Sequence, residues 1–478
     1  MQYPSMQIPP RLPLVIDPLN RDDTTNKDAR LVNAYVEYAQ GTEPWIFKRP
    51  GLLLQAVVNS NKVGMGLFTW NNNVYSLWGD GTIYKNGVKV VTGTLDTSNG
   101  KYSFSSLVGS TPKMSLQNGI QGYSYNDTAG LSATLHSINT SYPANTTKGI
   151  VYLDGTTYVL QNLFGTQVTP ATIWGSNINS IDQAGDWSAI NFITAQIEPD
   201  PGIFLAKQLI YVVCLKQWTT EVFVDAGNAT GSPLAPVENF EQPYGCAHQD
   251  SVQNIESTLF WMSNNRTASR QIVMMRGLQI SVVSTPAIDR LLQNADLTTV
   301  YSLQVKINGH SFYILTIKNN NITLVYDISQ NRWSQWTDAN GNYWPYIDST
   351  FDSNGNHILQ HESNGSLYYL DSTYYTDDGE QIPVTIITPA FDAGTRRKKI
   401  VNQLEFITDQ VSGSALTVQY SDDDYQTWSN PRLVNLGGTR AIIHNFGSFR
   451  RRGWKFIHAK NAPFRIQGVE IQMDIGVL

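Results

Sequence analysis

The chain has 478 residues, which exceeds the usual size of one domain and predicts two or more domains or one large repeated architecture. Hydrophobic residues make up 41% and charged residues only 15%, a composition that excludes a disordered chain. The net charge of −6 is unevenly divided: residues 391–478 hold twelve basic and eight acidic residues, which leaves 21 basic and 31 acidic residues for positions 1–390. An acidic body of net charge −10 repels nucleic acid.

Cysteine usage and hydropathy exclude several further classes. Cys214 and Cys246 are the two cysteines, without a Cys-x-x-Cys pair, so neither a disulfide framework nor a structural zinc site is predicted, and no cofactor is expected. The first residues, MQYPSMQIPPRLPLV, hold four prolines and no continuous apolar segment. No stretch approaches the ~18 apolar residues of a membrane span. We therefore expect neither an export signal nor membrane insertion.

The chain begins with a segment that lacks periodicity. Its first 30 residues are rich in Pro, Asp and Asn, which predicts an extended arm. We place the end of this arm at residue 44 and expect it to contact a neighbouring subunit.

From residue 45 to residue 390, hairpin patterns follow one another. Apolar or aromatic runs flank polar tips in LFTWNNNVYSLWGDGTIYKNG (67–87), IVYLDGTTYVL (150–160), LIYVVCLKQWTTEVFV (209–224), SFYILTIKNNNITLVYDISQNRWSQW (311–336) and HILQHESNGSLYYLD (357–371). One helix is predicted, at STPAIDRLLQNA (284–295). Some 340 residues of hairpins match six or seven blades of about 40–50 residues. We predict an all-β fold with a β-propeller at 45–390; a pair of β-sandwiches is the alternative.

A boundary is predicted near PAFDAGTRRKK (389–399), where the charge balance changes. Beyond it, apolar residues alternate more strictly, as in Leu404 and Phe406 or Trp454 and Phe456, which predicts a small β-sandwich at 391–478. The apolar phase slips at Gly468, which predicts a β-bulge.

The segment SDDDYQTWS (421–429) resembles the Asp-box of sialidase propellers. Ser421, Asp423, Thr427 and Trp428 match its pattern, but Tyr425 replaces the glycine. Side chains of such hairpins bond to backbone amides of the turn, so we predict a structural turn. A sialidase also needs three converging arginines, yet no arginine occurs between Arg49 and Arg266.

Other catalytic patterns are weak. His357 and His361 are four residues apart, a metal-binding spacing on a helix, but their context predicts a strand with two partly exposed histidines. No Gly-x-Ser-x-Gly, P-loop or dinucleotide motif occurs in a strand-to-helix context. We therefore predict that the chain is not an enzyme; hydrolases that use two carboxylates stay open.

Two dense basic clusters stand out in the C-terminal part. They are Arg396, Arg397, Lys398 and Lys399, and Arg450, Arg451 and Arg452. Each lies at a predicted strand start or turn, which is typical of a solvated loop. The alternative is contact with an acidic neighbouring subunit or with DNA phosphate. Because no aromatic platform interleaves these cations, specific nucleic-acid binding is not favoured, and we predict a partner interface.

Several stretches, taken in order, resemble the packaged-DNA stabilisation (tail hub or nozzle) proteins of short-tailed bacteriophages. They are LVNAYVEYAQGTEPWIFKRPGLL (31–53), with the turn residues Pro50 and Gly51; EPDPGIFLAKQLIYVVCLKQWTTEVF (198–223); TLFWMSN (258–264) with the later helix; ITLVYDISQNRWSQW (322–336); and SFRRRGWKFIHAKNAPFRIQGVEIQM (448–473). Residues 1–30 and 90–145 show no clear correspondence.

The resemblance implies a structural protein of the virion tail, assembled in the host bacterial cytoplasm. It implies a hexameric ring below the portal and adaptor rings, closed by a tail needle or plug and carrying tail spikes or fibres. Phage DNA would pass through its channel without sequence-specific binding. Two alternatives stay open: a carbohydrate-active propeller, glycosidase or lectin, and an interaction propeller of a cellular scaffold.

Overall fold

The computed structural model describes most of the chain: residues 9–14, 17–18, 28–38, 43–109, 111–164, 167–267 and 269–476. Strands make up 53% and helices 4%, which confirms the all-β class. The chain forms two compact units: unit 1 comprises 1–53, 306–344 and 370–478, and unit 2 comprises 54–305 and 345–369. The predicted boundaries at residues 44 and 390 stay a prediction.

Unit 2 is a succession of small antiparallel sheets. Sheet by sheet, the strands are Gly64–Trp70, Asn73–Trp78, Thr82–Lys85 and Val88–Val91; Ser103–Leu107, Lys113–Gln117, Gly122–Asn126 and Gly130–Leu131; Thr146–Leu153, Thr156–Phe164, Gln167–Ser176 and Trp187–Thr194; Gly202–Gln208, Tyr211–Lys216, Thr220–Asp225 and Leu234–Gln242; and Gly245–Cys246, Gln253–Ile255, Thr258–Asn264, Gln271–Arg276 and Gln279–Val282. Tyr346–Phe351 and His357–His361 also pair. The division between the units falls inside Gly51–Val57, Val300–Ile307 and Ser366–Asp371.

Two-residue turns explain why these segments form hairpins. At 86–87, Asn86 and Gly87 have φ of 48° and 79°, and at 154–155, Asp154 and Gly155 have φ of 46° and 91°. Such left-handed pairs match the twist of antiparallel strands, and Asn, Asp and Gly adopt them with the least strain. The predicted hairpins are confirmed as strand, turn and strand.

Neighbouring sheets of unit 2 bury apolar side chains against each other. Val151 and Leu160 of one sheet share a core with Leu205 and Val212 of the next. The predicted helix is present as Pro286–Gln293, with the Thr285 hydroxyl accepting from the Ile288 amide at 3.4 Å. Within the described part of the chain, the other helical elements are Leu135–Ile138 and the short 3-10 turns Gln249–Ser251 and Lys318–Asn320.

Unit 1 contains two larger sheets. The first has, in spatial order, His310–Ile317, Ile322–Asp327, Arg332–Gln335, Arg30–Val32, Val384–Ile387, Gly453–His458, Ala415–Ser421 and Arg432–Asn435. The second has Ala34–Glu37, Trp45–Lys48, Arg465–Ile475, Lys399–Thr408 and Ala441–His444, with Ser448–Phe449 paired to Lys399–Thr408. The short strands Thr376–Asp377 and Glu380–Gln381 also pair.

One apolar core joins these two sheets into a β-sandwich. Ile386 and Phe456 of the first sheet and Leu404 and Ile471 of the second belong to the same buried cluster. The register between Lys399–Thr408 and Arg465–Ile475 shifts beside Gly468, so the predicted bulge is confirmed.

Part of the predicted arm contributes to this sandwich. Residues 30–37 form strands of the two sheets. Earlier in the chain, the Leu12 amide donates to the Val469 carbonyl at 3.0 Å, and Leu12 and Leu14 are buried in the core. Residues 1–8, 15–16, 19–27 and 39–42 of the predicted arm lie outside the described residues.

Candidate docking groove

The two predicted basic clusters and the Asp-box-like turn come together in unit 1. They line one groove of about 650 Å³, formed by Ala390, Arg396, Lys398, Ser421, Asp422, Asp423, Asp424, Tyr425, Ser448, Phe449, Arg450, Arg451 and Gly453. Strand pairing explains the convergence, since Lys399 lies opposite Phe449 and Phe391 opposite Arg452. Cations 54 residues apart in sequence, such as Arg396 and Arg450, are therefore neighbours.

Most cations of the groove are exposed and weakly paired. The Arg396 side chain is 77% exposed and lies 3.9 Å from the Asp392 carboxylate. Arg451 lies 3.6 Å from Asp424. Arg450 donates to the Arg396 carbonyl at 2.8 Å. Exposed contacts of this kind contribute little to stability, so these cations stay available to a binding partner. Arg397 and Lys398 are also exposed.

Lys399 and Arg452 are placed differently from their neighbours in sequence. Lys399 is fully buried, and its ammonium group donates to the Thr395 and Arg450 carbonyls. Arg452 is 1% exposed; it donates to both Asp422 carboxylate oxygens at 2.7 Å and lies 3.8 Å from the centre of the Tyr420 ring. These two side chains cannot reach a partner, because a strand pleat alternates between the two faces of a sheet. Lys399 and Arg452 therefore leave the predicted interface, which stays a prediction for the exposed cations Arg396, Arg397, Lys398, Arg450 and Arg451.

The segment SDDDYQTWS forms a closed turn beside the groove. The Ser421 hydroxyl accepts from the Tyr425 amide at 2.9 Å, and the Asp423 carboxylate accepts from the Thr427 amide at 3.0 Å. The Thr427 hydrogen bonds lower the pKa of Asp423 to about 2. Tyr425, at the position of the usual glycine, has φ of 69°, is buried and donates to the Thr388 carbonyl at 2.8 Å. Trp428 is half-buried instead, with its ring 5.0 Å from the Lys455 ammonium group.

The Pro50–Gly51 turn lies beside a buried cation. A Cβ atom at Gly51 would stand 2.1 Å from the Thr376 carbonyl oxygen, so only glycine fits. The preceding residue, Arg49, is fully buried and donates to both Asp377 carboxylate oxygens, at 2.9 and 2.5 Å. Both features hold the backbone of unit 1 in place, so a structural role is assigned to this turn.

The histidine pair lies on a strand, as predicted. The strand His357–His361 holds the two histidines four residues apart on one face of the sheet. His361 is half-buried, but His357 is buried, so the prediction of two partly exposed histidines is wrong for His357. Burial lowers the pKa of His361 to about 4, and its Nδ1 accepts from the Ser363 and Asn364 amides at 3.1 and 3.2 Å. Within the described residues, no group of His, Cys, Asp or Glu has the arrangement of a metal site.

Buried ion pairs of unit 2 escaped the sequence interpretation. The Lys216 ammonium group lies 2.9 Å from Asp200 and 2.5 Å from Glu221, and all three side chains are at most 2% exposed. Hydrogen bonds to Glu221 and Asp200 outweigh burial and raise the pKa of Lys216. One weak signal of this pairing was visible beforehand, because Lys216 and Glu221 are charged residues inside otherwise apolar strands.

Comparison with known proteins identifies a family. The family model described as "Bacteriophage P22 Gp10, beta-propeller" matches residues 32–375, and the predicted β-propeller is thereby confirmed. No curated protein matches the chain. None of the described helices is long and apolar enough to span a membrane.

Three matching solved structures show distant similarity to this chain. The extracellular domain of a hybrid two-component system from B. thetaiotaomicron is 10% identical, with 93% of this chain and 60% of that chain covered and a TM-score of 0.42. The N-terminal domain of Nup159 is 8% identical, with 71% and 98% covered and a TM-score of 0.39. The computationally designed Ika8 protein is 10% identical, with 67% and 99% covered and a TM-score of 0.34.

Proposed function

The chain belongs to the family of the bacteriophage P22 Gp10 β-propeller, and from this premise we propose that it is the tail hub, or nozzle, of a short-tailed phage virion. The observation that carries the proposal is the family match over residues 32–375, which includes most of the chain. In this role the protein forms a hexameric ring below the portal and adaptor, retains the packaged DNA, forms the ejection channel and anchors a needle and spikes or fibres.

The charge distribution supports this role. A lining drawn from the acidic body offers phosphate few cations to hold it, so DNA can slide during ejection. A basic lining would bind the DNA backbone and slow its passage. The excess of cations is confined to residues 391–478, part of which forms the docking groove.

The docking groove supports assembly with other virion proteins. Closing a ring requires heterologous contacts, in which one face of a subunit meets a different face of the next. A groove with exposed Arg396, Lys398, Arg450 and Arg451 complements an acidic surface. The three aspartates of the same groove make a protein partner a better match than a nucleic acid, because carboxylates repel phosphate.

Phage particles that lack this protein test the proposal. We expect heads to package DNA and then lose it, so that nuclease digests DNA that is protected in complete particles. Supplying the wild-type chain during assembly should restore protection. Particles that keep their DNA equally well without the protein would overturn the proposed role.

A further inference from the structure

Unit 2 holds a cavity between the first strands of successive sheets. It measures about 470 Å³, and its walls include residues of Gly64–Trp70, Ser103–Leu107, Thr146–Leu153 and Gly202–Gln208. Each of these strands is the terminal strand of its sheet, so one of its hydrogen-bonding edges is not used within that sheet. The strands that border the cavity therefore offer main-chain donors and acceptors.

The walls of this cavity combine apolar and polar groups. The rings of Phe68 and Phe104 are stacked with their centroids 5.2 Å apart, and both residues are half-buried. Ser103, Ser105 and Ser106 line the same cavity and are half-buried, and their hydroxyl groups have no hydrogen-bond partner among the described residues. An occupant that carries both an apolar group and polar atoms, as a peptide does, matches such walls.

The charges of the cavity leave one cation without a partner. Among the described lining residues, the carboxylates of Asp348 and Asp250 are paired with the ammonium groups of Lys101 at 3.0 Å and Lys148 at 2.6 Å. Lys207 lines the cavity and is exposed; its ammonium group donates to a main-chain carbonyl at 2.8 Å and forms no ion pair with any described residue. The four residues of unit 2 outside the described part, at 110, 165, 166 and 268, carry no charge. Because an ammonium group has three N–H donors, Lys207 can also bind a carboxylate of an occupant.

The hairpin tips beside Lys207 carry exposed aliphatic side chains. Leu209 and Ile210, 52% and 59% exposed, form the tip that follows the strand of Lys207. Ile178, 74% exposed, lies against the neighbouring tip, since a Cβ atom at Gly155 would stand 2.9 Å from its side chain. Both tips follow strands that line the cavity, so aliphatic surface borders the end of the cavity at which Lys207 stands.

The backbone of Leu209 adds an independent observation. Its φ is 55°, a left-handed conformation that leucine rarely adopts. The tips at 86–87 and 154–155 use Asn, Asp and Gly for such φ values, because these residues adopt them with the least strain. A strained tip that presents two aliphatic side chains to water does not serve folding, and strain of this kind is typical of binding sites. The tip at Leu209 therefore has the features of a contact surface.

We propose that this cavity binds a peptide segment of a partner protein in which bulky aliphatic side chains alternate with carboxylates. One aliphatic side chain lies against the Phe68–Phe104 pair, a carboxylate pairs with Lys207, and a further aliphatic side chain contacts Leu209 and Ile210. The aliphatic tips favour a peptide over a glycan, because they have no polar atoms to bond sugar hydroxyl groups. This inference goes beyond the proposed tail role, since a peptide can occupy the cavity whether or not the chain forms a ring.

Fluorescence anisotropy with the full chain tests the proposal with three labelled peptides: Gly-Leu-Glu-Leu-Glu-Gly, a basic version with lysine in place of glutamate, and a polar version with serine in place of leucine. We expect the acidic leucine peptide to bind about tenfold or more tightly than either of the others. Lys207→Glu should reverse the preference between the acidic and the basic peptide, because its carboxylate repels glutamate and attracts lysine. Lys62→Glu, at an exposed lysine of the same unit, is the matched control and should keep the wild-type preference.

A second variant separates binding from folding. Leu209→Gly/Ile210→Asn gives the tip a pair that suits a two-residue turn, so the Tm should be at or above that of the wild-type chain. The acidic leucine peptide should nevertheless bind about fivefold or more weakly, because aliphatic contacts are lost. Ile120→Asn, at an exposed isoleucine in a tip at the opposite end of its own sheet, should bind this peptide as the wild-type chain does.

The outcomes decide the proposal. It is wrong if the acidic leucine peptide does not bind, or binds no more tightly than the serine version. It is also overturned if Lys207→Glu keeps the wild-type preference, or if Leu209→Gly/Ile210→Asn binds as tightly as Ile120→Asn. Displacement of the peptide by the neutral glycan maltoheptaose would assign the cavity to carbohydrate instead. DNA loss from virions is a separate measurement, so either idea can fail alone.

Discussion

The two units use their cations in different ways. In unit 2, lysines lie inside and pair with carboxylates: Lys216 with Asp200 and Glu221, Lys148 with Asp250, and Lys113 with Asp182. In unit 1, several cations of the docking groove stay exposed, and the carboxylates beside them are already engaged, Asp422 by Arg452 and Asp423 by its own turn. These three internal lysines of unit 2 therefore serve the fold, whereas the exposed cations of the docking groove are available for binding.

This difference cannot be read from net charge. The acidic balance of residues 1–390 hides lysines whose charge is neutralised within a few ångströms. The basic balance of residues 391–478 overstates the cations that are free, because Lys399 and Arg452 are internal. The following predictions test whether the two uses are as distinct as the contacts indicate.

The largest effect is expected at the buried triad of unit 2. Lys216→Met leaves Asp200 and Glu221, each 2% exposed, without a cation, and should lower the free energy of unfolding by about 3–5 kcal/mol. Urea unfolding measures this change. Lys398→Met, at an exposed cation of unit 1, should stay within about 0.5 kcal/mol. Equal losses of unfolding free energy in Lys216→Met and Lys398→Met would contradict the distinction between buried structural cations and exposed available ones.

A smaller effect is expected at the buried arginine of unit 1. Arg452→Met breaks the hydrogen bonds to Asp422 and the packing on Tyr420, but the Asp422 side chain is 43% exposed and regains water. The loss should therefore be about 1–3 kcal/mol in urea unfolding. Arg451→Met, an exposed neighbour, is the control and should be close to wild type. If Arg451→Met loses more unfolding free energy than Arg452→Met, the structural role assigned to the buried Arg452 is wrong.

Acid should destabilise unit 1 through His458. Burial lowers the pKa of this histidine to about 3, whereas an unfolded histidine has a pKa of about 6.5. Between these values the unfolded chain binds the extra proton, so stability falls as pH drops below about 6.5. At pH 5, this protonation should lower the free energy of unfolding by on the order of 1–2 kcal/mol, and His458→Gln should remove that loss.

Urea midpoints at pH 7 and pH 5 give the comparison. His444→Gln, an exposed histidine of the same unit, should keep the wild-type pH dependence. If His458→Gln loses as much stability between pH 7 and pH 5 as the wild-type chain, other groups cause the acid sensitivity.

The smallest effect on stability is expected in the docking groove, together with a loss of assembly. Lys398→Glu/Arg450→Glu should change unfolding by less than about 1 kcal/mol yet prevent attachment to tail complexes that lack this protein. Lys62→Glu/Lys89→Glu makes the same change in net charge at exposed lysines of unit 2 and should attach normally. Sedimentation of reconstituted particles separates these outcomes; normal attachment of the groove variant would reject the interface.

The local structure was largely predictable. Asn-Gly and Asp-Gly pairs predicted the hairpin turns, the Thr-Pro start predicted the helix Pro286–Gln293, and the change of apolar phase predicted the bulge beside Gly468. Each of these features depends on residues that are close in sequence. The order of the resembling stretches predicted the family that the comparison then showed.

Long-range pairing was not predictable. Nothing local shows that Arg30 shares a row with Lys455, or that Arg396 adjoins Arg450. The same limit hid the opposite orientations of Arg451 and Arg452, because a one-residue step in a strand changes the face.

The pairing of the strand Trp45–Lys48 with Arg465–Ile475 has a consequence during synthesis. The ribosome releases the earlier strand more than 400 residues before its partner, so for most of translation Trp45–Lys48 has an open hydrogen-bonding edge. Open edges recruit foreign strands. A chain that terminates early, before residue 465, should therefore aggregate even if every sheet between 64 and 282 has folded.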